Sequence, residues 1–183
     1  GSYSFDCGPA HWTVLDSNTY NNWGNARLQA FLREDLRRAS GAAWRVVVFH
    51  HPGYQSSTHH QMDRMMRAVE SILEQGRADI VFTGHVHNYQ RSSPIWVGAN
   101  PDAPQIVKRG DPARWGVIHI VSGAGGAPIY DPKDAQSLQR WHPFTLVFKA
   151  TPSFTLLDIT PSRLELRQID SGGRLIDRLE LTR

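Results

Sequence analysis

A single cysteine, Cys7, is all that this chain of 183 residues holds, so no disulfide can form within it. That usage suits a reducing compartment and does not exclude export. No apolar run comes near the ~20 residues that a membrane-spanning helix needs. The opening GSYSFDCG has neither a basic region nor an apolar core, and no signal peptide is read there. Repeats and low-complexity tracts are also lacking. Lys and Arg number 20 against 17 acids, a net charge of +3, but they form no cluster and no aromatic platform accompanies them. The basic residues read as a solvated surface, and neither nucleic acid nor membrane is expected as a partner.

What is present is the composition of a globular protein, 40% hydrophobic and 20% charged, in a length that suits one domain over residues 1–183. Residues 3–7 and 11–17 read as two short strands around the Gly8-Pro9 turn. Asn22 or Asn25 can cap a helix over about 25–39, whose stripe of Leu28, Phe31, Leu32, Leu36 and Ala39 faces a core before Gly41 ends it. Residues 44–49, WRVVVF, form an apolar, β-branched run that suits a strand buried on both faces. Met62, Met65, Met66, Val69, Ile72 and Leu73 then repeat at helical spacing up to Gly76, which makes the methionines core. The run at 79–83, DIVFT, is a further buried strand, cut off by Gly84. Helix, strand, loop, helix, strand, loop is the rhythm of an α/β layered sheet. A Pro-, Gly-, Asp- and Arg-rich surface excursion follows at 92–115, then a strand at 116–122 and a glycine loop. The terminal segments are β, joined by turns at Pro161-Ser162 and Ser171-Gly172-Gly173.

Six of the nine histidines crowd into two loops of this frame, HHPGYQSSTHH at 50–60 and GHVH at 84–87. Both follow the carboxyl end of a predicted strand, the edge where open α/β sheets place ligand sites. In extended backbone His85 and His87 project to one side while Val86 packs away. Alone, that pair is equally well read as two solvated loop histidines. His50 changes the balance, because it stands after its strand as Gly84 and His85 stand after theirs. Two adjacent parallel strands would bring His50, His85 and His87 to one rim, and neutral imidazoles gathered there are metal ligands. His59 and His60, just before the methionine-striped helix, either meet an anion at the helix N-terminus or cap the helix. His51 stays ambiguous, since extended backbone would turn it away from His50. His11, His119 and His142 lie in or near β segments and read as structural. The stretch 140–145, RWHPFT, reads as a packed turn before it reads as pocket lining.

Together, VVVFHHPGYQSSTHH, DIVFTGHVHNYQRS and GVIHIVSGAGGA resemble the calcineurin-like metallophosphoesterases, above all their purple acid phosphatase branch. YSFDCGPAHWTVLDS and the terminal FTLLDIT and LELRQIDSGGRLID are similar to strands of that family. The resemblance implies an α/β layered fold class, the C-terminal portion of a four-layer αββα sandwich. By position it implies His50 and His85 as ligands of one metal of a pair and His87 as a ligand of the other. His59 and His60 would contact the substrate phosphate and help protonate the leaving group. The implied cofactors are two ions of Fe, Zn or Mn ~3.5–4 Å apart, clamping a phosphate ester while a metal-bound hydroxide attacks in line. A histidine acid contributes ~10²–10⁴ in rate. Members of the family are often exported.

The family's G-D-x-G, G-D-x-x-Y and G-N-H-[DE] motifs, with their bridging aspartate, asparagine and tyrosine, have no counterpart here. Asp6 and Asp16 match structural positions of the family. The expectation is a phosphatase centre that is incomplete or weak in this chain alone, with at most one ion on three histidines and water. Homodimerisation, strand exchange or a partner chain that supplies the N-terminal half is expected to cover the surface its absence leaves. The alternative is a catalytically inactive module that binds metal or phosphate.

Overall fold

The computed structural model describes residues 1–137 and 141–183. Gly8, left-handed at φ 55°, turns β1 (Tyr3–Cys7) back onto β2 (Ala10–Val14) as an antiparallel pair. From β2 the sheet continues in parallel through β3 (Trp44–Val48), β4 (Ile80–Thr83) and β8 (Ile118–Ser122). Antiparallel β5 (Tyr89–Ser92) and β9 (Thr145–Lys149) complete it, in the order β1-β2-β3-β4-β8-β5-β9. The apolar runs expected to be buried on both faces are β3 and β4, at the middle of this sheet.

One face of the sheet is covered by helices. The Asn25 side chain accepts from the Arg27 amide and starts α1 (Ala26–Arg38), satisfying a backbone donor that the first turn leaves orphaned. Leu32 and Leu36 of α1 pack with Ile72 and Leu73 of α2 (Glu70–Gln75) over Val47 and Val81. Each such leucine contributes roughly 1.5–3 kcal/mol by leaving water. Phe31, expected in that stripe, stays partly exposed. At Gly76 a Cβ would come 2.5 Å from Leu36 Cδ1, so only glycine lets the two helices approach this closely.

The methionine stripe behaves differently from its periodicity. Residues 65–69 form a 3₁₀ helix and α2 is only six residues long. Met66 is buried, Met65 is partly buried, and Met62 is 83% exposed. The reason is local. Residues 60–64 are taken up by a loop in which His60 is left-handed and the Asp63 carboxylate holds two histidines, so the helix starts late.

The other face is covered by a three-stranded antiparallel sheet, β10 (Ser153–Ile159), β11 (Arg163–Asp170) and β12 (Leu175–Thr182). Leu164, Leu166 and Leu181 pack there on Trp44, Ile80, Ile118 and Ile120. The Trp44 indole N–H donates to the Thr160 carbonyl at 2.7 Å, so even this central side chain leaves no polar atom unpaired. Helices, sheet and sheet make an α–β–β stack, three successive layers of the expected αββα sandwich. The segment 92–115 is less of an excursion than its composition suggests. It carries the two-stranded ribbon β6 (Ile95–Trp96) and β7 (Gln105–Ile106), and Ile95, Val97 and Val107 are buried.

Candidate metal centre

Parallel pairing of β3 with β4 persists beyond the strands. Phe49 N donates to Phe82 O at 3.0 Å, and Gly84 N donates to His50 O at 3.1 Å. That ladder sets His50 directly beside the start of the GHVH loop. At Gly84 a Cβ would lie 3.3 Å from His50 Nδ1. Val86 is fully buried, as the alternation of the loop predicts, and Gly123 of the glycine loop presses on it. A Cβ at Gly123 would sit 2.0 Å from the Val86 carbonyl oxygen, which no rearrangement of a side chain relieves.

The rim holds two groups of candidate ligands, each with donor atoms within 4.8 Å of one another: His50, His51 and His85, and His60, Asp63 and His85. His85 belongs to both. Its ring lies 5.1 Å from His50, 4.5 Å from His51 and 3.9 Å from His60, between centroids. His50 and His85 therefore converge as the strand argument requires. His51, left ambiguous by the sequence, joins them because the chain bends after β3. Ser17 Oγ accepts from the amides of His50 at 3.0 Å and His51 at 3.1 Å and lies 2.9 Å from His51 Nδ1.

His87 stands outside both groups. Its Nδ1–H donates to the Pro128 carbonyl at 3.0 Å, and its ring stacks on Tyr130 at 4.1 Å. His59 stacks on Tyr130 as well, at 4.2 Å, giving a three-ring pile between the two histidine loops. The His59 Nδ1–H donates to Asp131 Oδ1 at 2.7 Å. Ser57 Oγ and Thr58 Oγ1 also donate to this carboxylate, whose side chain is 3% exposed. Neither His59 nor His60 caps a helix, since the 3₁₀ segment that follows has no side-chain cap. Of the stretch 140–145, Arg140 lies outside the described residues; the His142 amide donates to Ser56 Oγ at 2.7 Å and Phe144 is buried, as in a packed turn. His11 and His119 are structural in the sense expected, each bonded to carboxylates inside the fold.

A sequence profile of the calcineurin-like phosphoesterase family matches residues 1–89, the segment that carries β1 to the GHVH loop. Purple acid phosphatase 23 of Arabidopsis thaliana is 41% identical over 115 residues, 60% of this chain and 25% of that protein. Over its first 89 residues the chain is similar to the calcineurin-like phosphoesterase family. Within it, the purple acid phosphatase branch is where the curated relatives lie; one from Glycine max is 35% identical over 98 residues, covering 51% of this chain and 21% of its own length. The chain spans about a quarter of the length of the Arabidopsis relatives it matches first. Among solved structures, a purple acid phosphatase from yellow lupin seeds superposes over 100% of this chain and 32% of its own, with a TM-score of 0.77 and 22% identity. GAP50, the anchor in the inner membrane complex of Plasmodium, gives a TM-score of 0.65 at 15% identity, over 100% of this chain and 53% of its own. Those two likenesses concern the fold.

Phosphoesterases of this family depend on metal ions, and the electrostatics of the rim favour the ligand form of imidazole. His50, His51 and His85 are all held below the ordinary histidine pKa, first by burial and then by the positive charge each neighbour would carry. They are thus kept neutral, the state that coordinates a cation. Five of the six rim histidines have one ring nitrogen engaged: His51 by Ser17, His59 by Asp131, His60 and His85 by Asp63, His87 by Pro128. Such anchoring fixes ring orientation, and where the engaged nitrogen donates, as at His59 and His87, the other is left for a ligand. Asp63 is held below the usual carboxylate range, chiefly by the hydrogen bond from His85. Burial pushes Asp131 up, but the bonds from Ser57, Thr58 and His59 together outweigh it and hold it down.

Backbone strain gathers at the same place. Left-handed conformations at His60 (φ 59°), His85 (φ 61°) and Asp131 (φ 54°) each run against a side chain's preference, at roughly 1–2 kcal/mol apiece. The donor set fits one ion. Three imidazoles plus water is a sufficient open site, whereas a pair of ions needs bridging carboxylates. Among the described residues Asp63 is the one carboxylate in either group. Asp63, Asp131, Tyr130 and Ser17 carry no motif in the sequence. Asp131 stands 72 positions from His59, so only folding reveals the pair.

Proposed function

We propose that this chain carries the histidine side of a metal-dependent phosphoesterase centre, in which His50, His51 and His85 hold an ion. The convergence of these three neutral imidazoles at the carboxyl edge of β3 and β4 carries the proposal. His87 is the further ligand implied by the G-H-x-H pattern, and the Pro128 bond leaves its Nε2 for that role. A bound Zn, Fe or Mn ion would supply Lewis-acid polarisation of a phosphoryl oxygen and a nucleophile at neutral pH.

The remaining chemistry belongs to the side chains. Asp131 accepts the Nδ1–H of His59, so Nε2 is the nitrogen turned to substrate, and it donates to a phosphate oxygen when the ring carries its second proton. His60, oriented by Asp63, stands over His85 at 3.9 Å between ring centres and is placed to bind the phosphate or protonate the departing oxygen. Asp63, bonded to His60 and His85 at 3.0 Å each, couples the substrate side of the rim to the ligand side.

The shortage of carboxylates supports a second reading, an inactive module that binds metal or phosphate without turnover. Hydrolysis of para-nitrophenyl phosphate with added Zn, Mn or Fe separates the two. Metal-dependent turnover that His85→Asn abolishes supports the enzyme, weak as this chain is expected to be. Micromolar zinc binding without any turnover supports the silent module.

A further inference from the structure

The rim accounts for a phosphate but not for what the phosphate is attached to. A narrow cleft leads from His60 and Asp63 past Arg64, Arg67 and His142. These last three also line a neighbouring cavity of about 450 Å³, within the range of volumes that hold small organic ligands. The rest of its lining is mainly apolar, with Pro104, Pro143 and Phe144, and with Ile106 left 55% exposed. A large aliphatic side chain open to water beside two guanidinium groups suits a ligand that is apolar in one part and anionic in another.

The charges do not cancel. Arg67 is already engaged, pairing with Asp102 at 2.6 Å and donating its Nε to the Gly53 carbonyl at 2.8 Å. Arg64 donates only its Nε, to the Gln61 carbonyl at 3.0 Å; among the described residues no acceptor takes its two terminal nitrogens. Two guanidinium groups thus share the lining with one carboxylate, that of Asp102. The pKa of His142 is held below its ordinary value by burial first and then by the charges of Arg67 and Arg64. A guanidinium edge of this kind receives a phosphate or carboxylate through two parallel N–H bonds.

We propose that this cavity is a leaving-group subsite for phosphate esters whose organic part carries a second anionic group, with that anion on Arg64 and the apolar part against Ile106 and Pro104. The inference rests on the phosphoesterase reading for where the reacting phosphate lies. Substrates of this class are preferred over a simple aryl phosphate, which would use the apolar lining alone.

Calorimetric titration of the chain with one equivalent of zinc tests it, using three probes that cannot turn over. These are inorganic phosphate, phenylphosphonate, and α,β-methylene adenosine diphosphate, which adds a second anion to an organic body. The diphosphonate should bind at least about tenfold more tightly than phosphate. Arg64→Ala should remove about that factor, near 1.4 kcal/mol, and leave phosphate unchanged. Ile106→Asp should weaken phenylphosphonate and the diphosphonate together, again sparing phosphate. Equal wild-type affinities for the diphosphonate and phosphate would overturn the subsite, as would an Arg64→Ala loss shared equally by all three probes. Arg64-dependent diphosphonate binding without phosphate binding would keep the subsite and sink the phosphoesterase reading. No binding of any probe would sink both.

Discussion

His11 and His85 are both histidines bonded to aspartate, and their environments shift their pKa values in opposite directions. His11, on β2, has Asp6 at 2.7 Å on Nδ1 and Asp35 at 3.1 Å on Nε2. With a carboxylate at each nitrogen, the protonated ring, which donates from both, is the form these contacts favour. Burial alone would push its pKa down, but the two aspartates outweigh that and raise it. Ser4 and Thr13 also donate to Asp35, closing the cluster into a strut between β1, β2 and α1. At the rim, one carboxylate, Asp63, serves two rings, and each ring keeps a nitrogen free. The same residue type is favoured as a cation in one place and as a neutral ring in the other. What separates them is how many carboxylates face each imidazole.

The largest way to break one side of that comparison is Gly123→Ala. The added Cβ meets the Val86 carbonyl oxygen at 2.0 Å, so the GHVH loop must move. Overpacking of this kind should lower stability by about 3 kcal/mol and the melting temperature by roughly 10 °C. Zinc binding should vanish with it. The His11 cluster, made by other elements, should be unaffected, and the ring resonances of His11 report on that.

Next comes His85→Asn, which keeps a residue tolerant of the left-handed backbone while removing the imidazole shared by both ligand groups. Zinc affinity measured by calorimetry should fall by more than about 100-fold, beyond the loss expected for an outer partner. The paired variants His51→Ala and His87→Ala then say which ring completes the set with His50. A larger loss for His51→Ala agrees with the grouping seen here; a larger loss for His87→Ala restores the sequence pattern.

Asp131→Asn should do less. It leaves His59 stacked on Tyr130 but exchanges a charge-assisted partner for an amide, removing roughly 1.5 kcal/mol. The His59 proton should no longer be confined to Nδ1, a change that long-range proton–nitrogen spectra read directly. Phosphate affinity should fall about tenfold while zinc affinity holds, since Asp131 touches neither ligand group. Unchanged tautomer and unchanged phosphate binding would remove His59 from the site.

Much of this architecture was legible where the causes are local. Period-two and period-3.6 patterns, an asparagine cap and two β-branched runs suffice for β1 to β4 and α1, and the position of His50 and His85 after parallel strands follows from them. Legibility ended where distant residues compete for a segment. The methionine stripe promised a helix from residue 62, but Asp63 is drawn to His60 and His85, and helical structure starts only at Met65, as a 3₁₀ turn, with the α-helix following at Glu70. His51 turns toward the rim because Ser17, on a different loop, gathers two successive amides. The glycine-rich run before Tyr130 and Asp131 gives no sign that these two clamp His59. Candidate ligands set by strand ends can be read from a sequence, whereas the residues that orient them depend on which loops meet.

The smallest effect sharpens the comparison most, because the two sites oppose each other in pH. His50, His51 and His85 have lowered pKa values, so below the ordinary value near 6.5 the unfolded chain binds protons that the fold refuses, and stability drops as pH falls. His11 has a raised pKa, so its contribution is fully present below that value and is lost as pH rises through its folded pKa. In the metal-free protein the three rim groups should pull urea midpoints down as pH falls below about 6.5, while His11 and Glu74, whose carboxyl burial pushes up to about 7, act in the opposite sense. His11→Asn should abolish the gain in stability that His11 gives as pH falls toward 6.5, while also lowering stability throughout. Saturating zinc should add stability at the alkaline end, where the rim imidazoles are neutral, and little at the acid end, where protons compete for the same nitrogens. A His11→Asn curve that runs parallel to the wild type would mean that the Asp6–His11–Asp35 strut is not charged, and the contrast between the two sites would rest on geometry alone.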